Sequence, residues 1–86
     1  MSVDVALPPH HFLGLALRAL RVEADVTQDD LHRRTGVAQS TIDACERGTR
    51  SPGYDTLARL AAGLDIRLSA LVARAETIET FYAIRR

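Results

Sequence analysis

The stretch TQDDLHRRTGVAQSTIDACERG, residues 27–48, decides the fold. Thr27 offers a side-chain oxygen just ahead of a helical run. Asp30, three residues later, completes a capping-box pattern with Asp in place of Glu. The helix that opens there is short, because Gly36 stops it. A tight turn between helices often needs φ > 0, which glycine supplies at least steric cost. A further helix is expected from about Gln39 to Arg47, with Ile42 and Cys45 on its inner face and Gly48 at its end.

Upstream, Leu13, Leu17 and Leu20 recur at spacings of four and three, with Ala16 and Ala24 on the same side. They predict a first helix from about His11 to near Asp25. Residues 1–9 read as an arm, although Pro8 and Pro9 can begin a helix. Downstream, Thr49 to Gly53 is a loop. Ser51 as N-cap and Pro52 at the first helical position would open a fourth helix, with Leu57, Leu60, Ala61 and Leu64 facing inward. Gly63 reads as a close-packing site, and Asp65 breaks the helix. A fifth helix starts between Arg67 and Ser69 and carries Leu68, Leu71, Val72 and Ala75. For the tail, residues 77–86, helix extension and strand both stand. Ile78, Phe81 and Tyr82 fit helical spacing, but Thr77, Thr80 and Ile84 share their strand propensity. The expected organisation is an arm (1–9), one all-α domain (10–76) and the tail (77–86).

At 86 residues the chain is one domain's worth of sequence. A chain this short buries only roughly 60–65% of its unfolded surface. Hydrophobic residues make up 47% and charged residues 26%, ordinary values for a soluble globular domain. No apolar run approaches the roughly 20 residues of a membrane span. Acidic Asp4 and the lack of arginine before Arg18 argue against a secretory signal. The single cysteine, Cys45, cannot form an internal disulfide, so the chain reads as cytoplasmic. Adjacent His10 and His11 diverge by about 100° on a helix, and no Cys/His set with ligand spacing lies near them. There is no glycine-rich phosphate loop and no Ser or Cys with an evident His partner. The expectation is no enzyme, no metal and no cofactor.

Counted from Gln28, Gly36 is ninth, Ile42 fifteenth and Cys45 eighteenth, the turn and core positions of a helix-turn-helix. With these words in place the chain resembles the Cro/C1-type (XRE) helix-turn-helix family of bacterial and phage regulators. The matching words are Leu13-Gly14, Leu17-Arg18, Leu20-Arg21, Thr27-Gln28 with Leu31, Gly36-Val37, Ser40-Thr41-Ile42, Glu46-Arg47-Gly48, Arg50, Pro52 and Leu57 through Leu64. They cover about residues 12–73 in the family's order. The resemblance implies a compact five-helix, lambda-repressor-like domain whose third helix enters the DNA major groove.

It also implies roles. Gln39 and Ser40, with Thr41 and Ala44, would face base edges, where a Gln amide suits adenine. Thr27 and Gln28 would sit at the phosphate-facing start of the second helix, with Gln28 also bracing Gln39. Arg47 and Arg50 would reach phosphates. Asp43 could accept from cytosine N4, or repel phosphate and sharpen selectivity. Arg21 and Glu46 would form a structural ion pair, for which a forked guanidinium suits a carboxylate better than Lys does. The chain departs from the family at three places. His32 stands where Ala is usual and reads as a partly exposed ring or a pH-sensitive site. Cys45 replaces a bulkier apolar residue. Ala38 replaces the usual Ser cap of the third helix, which forfeits about 1 kcal/mol.

Charge complicates a DNA-binding reading. All eleven basic residues are Arg, eleven acids balance them, and the formal net charge is +0. Within residues 25–46, five acids (Asp25, Asp29, Asp30, Asp43, Glu46) face two arginines (Arg33, Arg34). Within residues 47–74, five arginines (47, 50, 59, 67, 74) face two acids (Asp55, Asp65). With so few cationic contacts, one chain should bind DNA feebly. A homodimer on a pseudo-palindromic operator doubles those contacts. Its candidate interface is Leu68, Leu71, Val72, Ile78, Phe81, Tyr82 and Ile84, although these side chains could instead close the monomer's core. The function expected is a DNA-binding transcriptional regulator, a repressor because a chain this short leaves no room for an activation domain. The rivals are an antitoxin with a cognate toxin, a restriction–modification controller, and a protein-interaction module that kept the fold and lost DNA binding.

Overall fold

The computed structural model describes residues 7–85. The part of the arm formed by residues 1–6 lies outside the described residues. Five helices follow one another: α1 (Pro9–Glu23), α2 (Gln28–Thr35), α3 (Gln39–Arg47), α4 (Tyr54–Gly63) and α5 (Leu68–Arg85). No strand occurs among the described residues. The expected all-α class and element order hold.

Local signals explain most boundaries. Thr27 Oγ1 accepts from the Asp30 amide at 2.9 Å, and Asp30 Oδ2 accepts from the Thr27 amide at 3.0 Å, so the capping box closes in both directions. Gly36 takes φ 77° and Gly48 takes φ 76° at the ends of α2 and α3. Asp25 (φ 60°) and Asp65 (φ 59°) adopt the same left-handed conformation after α1 and α4. A short polar side chain tolerates this conformation better than other non-glycine residues do. Behind Asp25 the Val26 amide returns to the Arg21 carbonyl, and behind Asp65 the Ile66 amide returns to that of Ala61, both at 3.0 Å. These paired returns satisfy carbonyls that a helix end leaves open.

Two expectations need correction. The fourth helix does not start at Pro52. Gly53 is its N-cap, and its first bond runs from the Leu57 amide to the Gly53 carbonyl. Ser51 and Pro52 stay in the loop. Ala24 is exposed at the end of α1 rather than on its inner face. Of the two forms left open for the tail, the structure has the helix extension, continuous with α5 through Arg85.

The core is a single cluster. Leu17, Leu31, Ile42, Cys45, Leu60 and Leu71 are its fully buried large members. Phe12, Val26 and Val37, which the periodicity passed over, also belong to it. Gly14 lies hard against α3: a Cβ there would meet the Cys45 carbonyl oxygen at 2.0 Å. Gly63 is a close-packing site as expected, facing Thr35 and Leu31 of α2. Together these contacts fix how α1 and α4 clasp the α2–α3 pair. No helix among the described residues is long and apolar enough to cross a membrane.

Candidate nucleic-acid interface

α3 is bolted to the core on one side and open on the other. Ile42 and Cys45 are buried, while Gln39 and Ser40 are exposed and Thr41, Asp43 and Ala44 are half-buried. Ala38, the N-cap, makes no side-chain capping bond, so no side chain covers the first amides of α3. Arg47 ends the helix and Arg50 follows in the loop, both exposed. The fold therefore brings Gln39, Ser40, Thr41, Asp43, Ala44 and Arg47 onto one short helix, with Arg50 just beyond its end.

The opposite end of α3 is held by a buried polar network. Arg21 Nε donates to Glu46 Oε2 at 2.7 Å and Nη2 donates to Oε1 at 2.9 Å. The remaining Nη1 donates to the Val26 carbonyl at 2.9 Å. The Glu46 carboxylate raises the Arg21 pKa further, above an already high ordinary value. Gln28 joins this network. Its Nε2 donates to Glu46 Oε1 at 3.1 Å and to Asp43 Oδ1 at 3.3 Å, and not to Gln39. The expected brace between Gln28 and Gln39 is thus replaced by a link to Glu46 and Asp43. Asp43 also pairs with Arg47 Nε, 3.0 Å away. Thr27 is exposed, but its hydroxyl is engaged in the capping box. Among the described residues, no buried side-chain polar atom lacks a partner.

Sequence reasoning missed two histidine roles. His32 is half-buried, and its Nδ1 donates across the turn to the Val37 carbonyl at 2.8 Å. The ring thereby ties the last turn of α2 to the lead-in of α3. His10 Nε2 donates to the Gly48 carbonyl at 3.0 Å and fastens α1 to the end of α3. Only the chain path shows either contact; composition and periodicity carry no signal for them. Burial pushes the Cys45 thiol pKa up, with the Arg50 charge opposing it. A buried thiol of raised pKa is a poor nucleophile.

The seven residues expected at a subunit interface divide by burial. Leu71 is fully buried in the core of the single chain, so it has no surface for a partner. Leu68 and Ile78 are half-buried against the core. Val72, Phe81, Tyr82 and Ile84 are exposed, the last by 73%. Tyr82 also packs its ring on Phe12, centroid to centroid 5.5 Å.

Comparison with known proteins agrees with this geometry. The family model described as a helix-turn-helix domain matches residues 13–75. The cryptic phage CTXphi transcriptional repressor RstR of Vibrio cholerae is 38% identical over 61 residues, 71% of this chain and 55% of that protein. The chain thus spans about half the length of that relative, and of uncharacterized HTH-type regulators of Mycobacterium tuberculosis at 47%. Among solved structures, the restriction–modification controller C.AhdI from Aeromonas hydrophila is 31% identical. It superposes with a TM-score of 0.70, over 72% of this chain and 94% of that one. The clp gene regulator ClgR from Corynebacterium glutamicum shares the fold, with TM-score 0.88 at 23% identity over 93% of this chain and 86% of that one. The order of motifs, the turn at Gly36, the Arg21–Glu46 brace and these likenesses agree: the chain belongs to the XRE-type helix-turn-helix family of transcriptional regulators.

Proposed function

We propose that this protein is a sequence-specific DNA-binding regulator that represses transcription by occupying a promoter. The observation that carries the reading is the exposed face of α3. Gln39 and Ser40 stand at its open N-terminal turn, while Arg21 and Glu46 hold its other end rigidly in the core. A rigid helix presenting short polar side chains is what major-groove readout needs. Arg47 at its end and Arg50 just beyond are exposed and would reach phosphates, and Thr41 and Ala44 would complete the base-facing side.

The working form is a homodimer on a pseudo-palindromic site. Only two arginines, Arg47 and Arg50, flank the reading face of each chain; they release few counterions, so a single copy binds weakly. The second copy is the occupant that fits the C-terminal half of α5. There Phe81 and Ile84 line an open groove with Ala73, Thr77 and Thr80, and Val72 and Tyr82 are also exposed. No catalytic role, metal or cofactor enters this reading, and the cytoplasm is its compartment.

The test is a gel shift on DNA upstream of the protein's own gene. Wild type should bind in a salt-sensitive way, and Gln39→Ala and Arg50→Ala should each abolish the shift while leaving the fold intact. A folded protein that binds no duplex at low salt overturns the reading and favours a protein-interaction module. Sedimentation showing only a 9 kDa species, with and without operator, overturns the dimer. The likeness to C.AhdI, at 94% coverage of that chain, favours a second reading as a restriction–modification controller. A methyltransferase or endonuclease gene next door would support that reading, and a toxin gene would support an antitoxin.

A further inference from the structure

Asp43 lies midway along the exposed side of α3 and binds in two directions. One oxygen pairs with Arg47 Nε at 3.0 Å, one turn along the same helix. The other accepts from Gln28 Nε2 at 3.3 Å, across from α2, a nitrogen that also donates to Glu46 at 3.1 Å. Arg47 is a group that the proposed interface would offer to a phosphate. An exposed i, i+4 pair is ordinary on a helix and adds little stability. Helix stabilisation alone, however, gives no reason for the same carboxylate to hold a donor from a second helix. It also gives no reason to place an acid on the one surface where phosphates would arrive. Arg47 remains 72% exposed while paired, so a phosphate can reach it and compete.

We propose that Asp43 is a charge latch: in the free protein it occupies Arg47, and DNA must displace it to recruit that guanidinium. The inference rests on the DNA-binding reading and deepens it. Binding that does not depend on sequence is almost wholly electrostatic. Holding one of two flanking arginines on an internal acid therefore suppresses attachment to arbitrary DNA. The acidic character of residues 25–46 then has a function at this position, because it limits how strongly the domain sticks to polyanions.

The experiment uses the full chain with Asp43→Asn, Arg47→Gln and the double variant. Asparagine keeps an acceptor for Gln28, and thermal melts verify that each variant folds. Fluorescence anisotropy on a labelled random-sequence duplex across a salt series should show Asp43→Asn binding roughly two- to fivefold tighter per protomer, the scale of an exposed ion pair. Its salt slope should steepen by about 0.9, the value of one phosphate contact. In the Arg47→Gln background that gain should vanish. A gain that persists undiminished without Arg47 overturns the latch and leaves general repulsion, and no gain, or a loss, overturns it as well. Retention on immobilised heparin repeats the comparison without any duplex. If wild type binds no DNA the regulator reading falls, while the Arg47-dependent gain on heparin still decides the latch.

Discussion

Arg21 and Glu46, 25 residues apart in sequence, meet through two hydrogen bonds of 2.7 and 2.9 Å and join the end of α1 to the end of α3. Their side chains are only 12% and 4% exposed. Glu46 also receives the Gln28 amide, so one carboxylate sets the relative placement of three helices.

Glu46→Ala leaves the Arg21 guanidinium buried without its partner. Breaking a buried pair from one side costs about 3–5 kcal/mol, which lowers Tm by more than about 10 °C in a domain of this size. Arg21→Lys keeps the charge but loses the fork and the Val26 bond, and should fall between wild type and Glu46→Ala. Thermal unfolding followed by circular dichroism checks the order. A drop of about 2 °C for Glu46→Ala would mean that the pair acts as a surface contact.

Gly14→Ala should destabilise, although alanine is the better helix former by about 1 kcal/mol. The new Cβ would sit 2.0 Å from the Cys45 carbonyl oxygen, which is backbone and cannot swing aside. Separating α1 from α3 should cost about 1–3 kcal/mol, as overpacking does. Gly53→Ala, with nothing within 4 Å of its Cβ, is the control. It should change stability by less than about 0.5 kcal/mol, because reduced chain entropy and a weaker N-cap offset each other. Denaturant titrations of both variants test the contrast.

Ala38→Ser should stabilise the domain. Ala38 is exposed, has the extended ψ of 139° that a cap requires, and makes no capping bond. A serine there supplies about 1 kcal/mol, raising Tm by about 4–8 °C. A melt unchanged from wild type would show that water already satisfies those amides equally well.

Acid should loosen the N-terminus of α2 and the α1–α5 junction. The Thr27 amide first, and then its hydroxyl, hold the Asp30 carboxyl below the usual range. Arg74 does the same to Glu23 through bonds of 2.7 and 3.0 Å. A carboxyl whose folded pKa is depressed contributes stability above its unfolded pKa and loses it as pH falls through the folded value. Tm should therefore decline below about pH 4. An Asp30→Asn, Glu23→Gln double variant should show a shallower decline, and an identical slope would remove these two groups from the account.

What the sequence determined is what a few neighbouring residues can encode. The Thr27–Asp30 box, the turn at Gly36 and the end at Gly48 act over one helical turn, and the spacing of Ile42 and Cys45 assigns a face without knowing what covers it. Tertiary structure decided the rest. Leu71 and Val72 are adjacent and equally apolar, yet they point about 100° apart on a helix. The docking of α5 against α1 and α4 makes Leu71 core and leaves Val72 outside. The tail has strand propensity, but among the described residues no strand exists to pair with it. Tyr82 instead rests on Phe12, some 70 positions earlier, and the helix continues. Gln28 turns toward Glu46 and Asp43 because Arg21 has already fixed that carboxylate. Contacts across such separations depend on how helices dock, and docking follows from the shape of the whole core rather than from any local word.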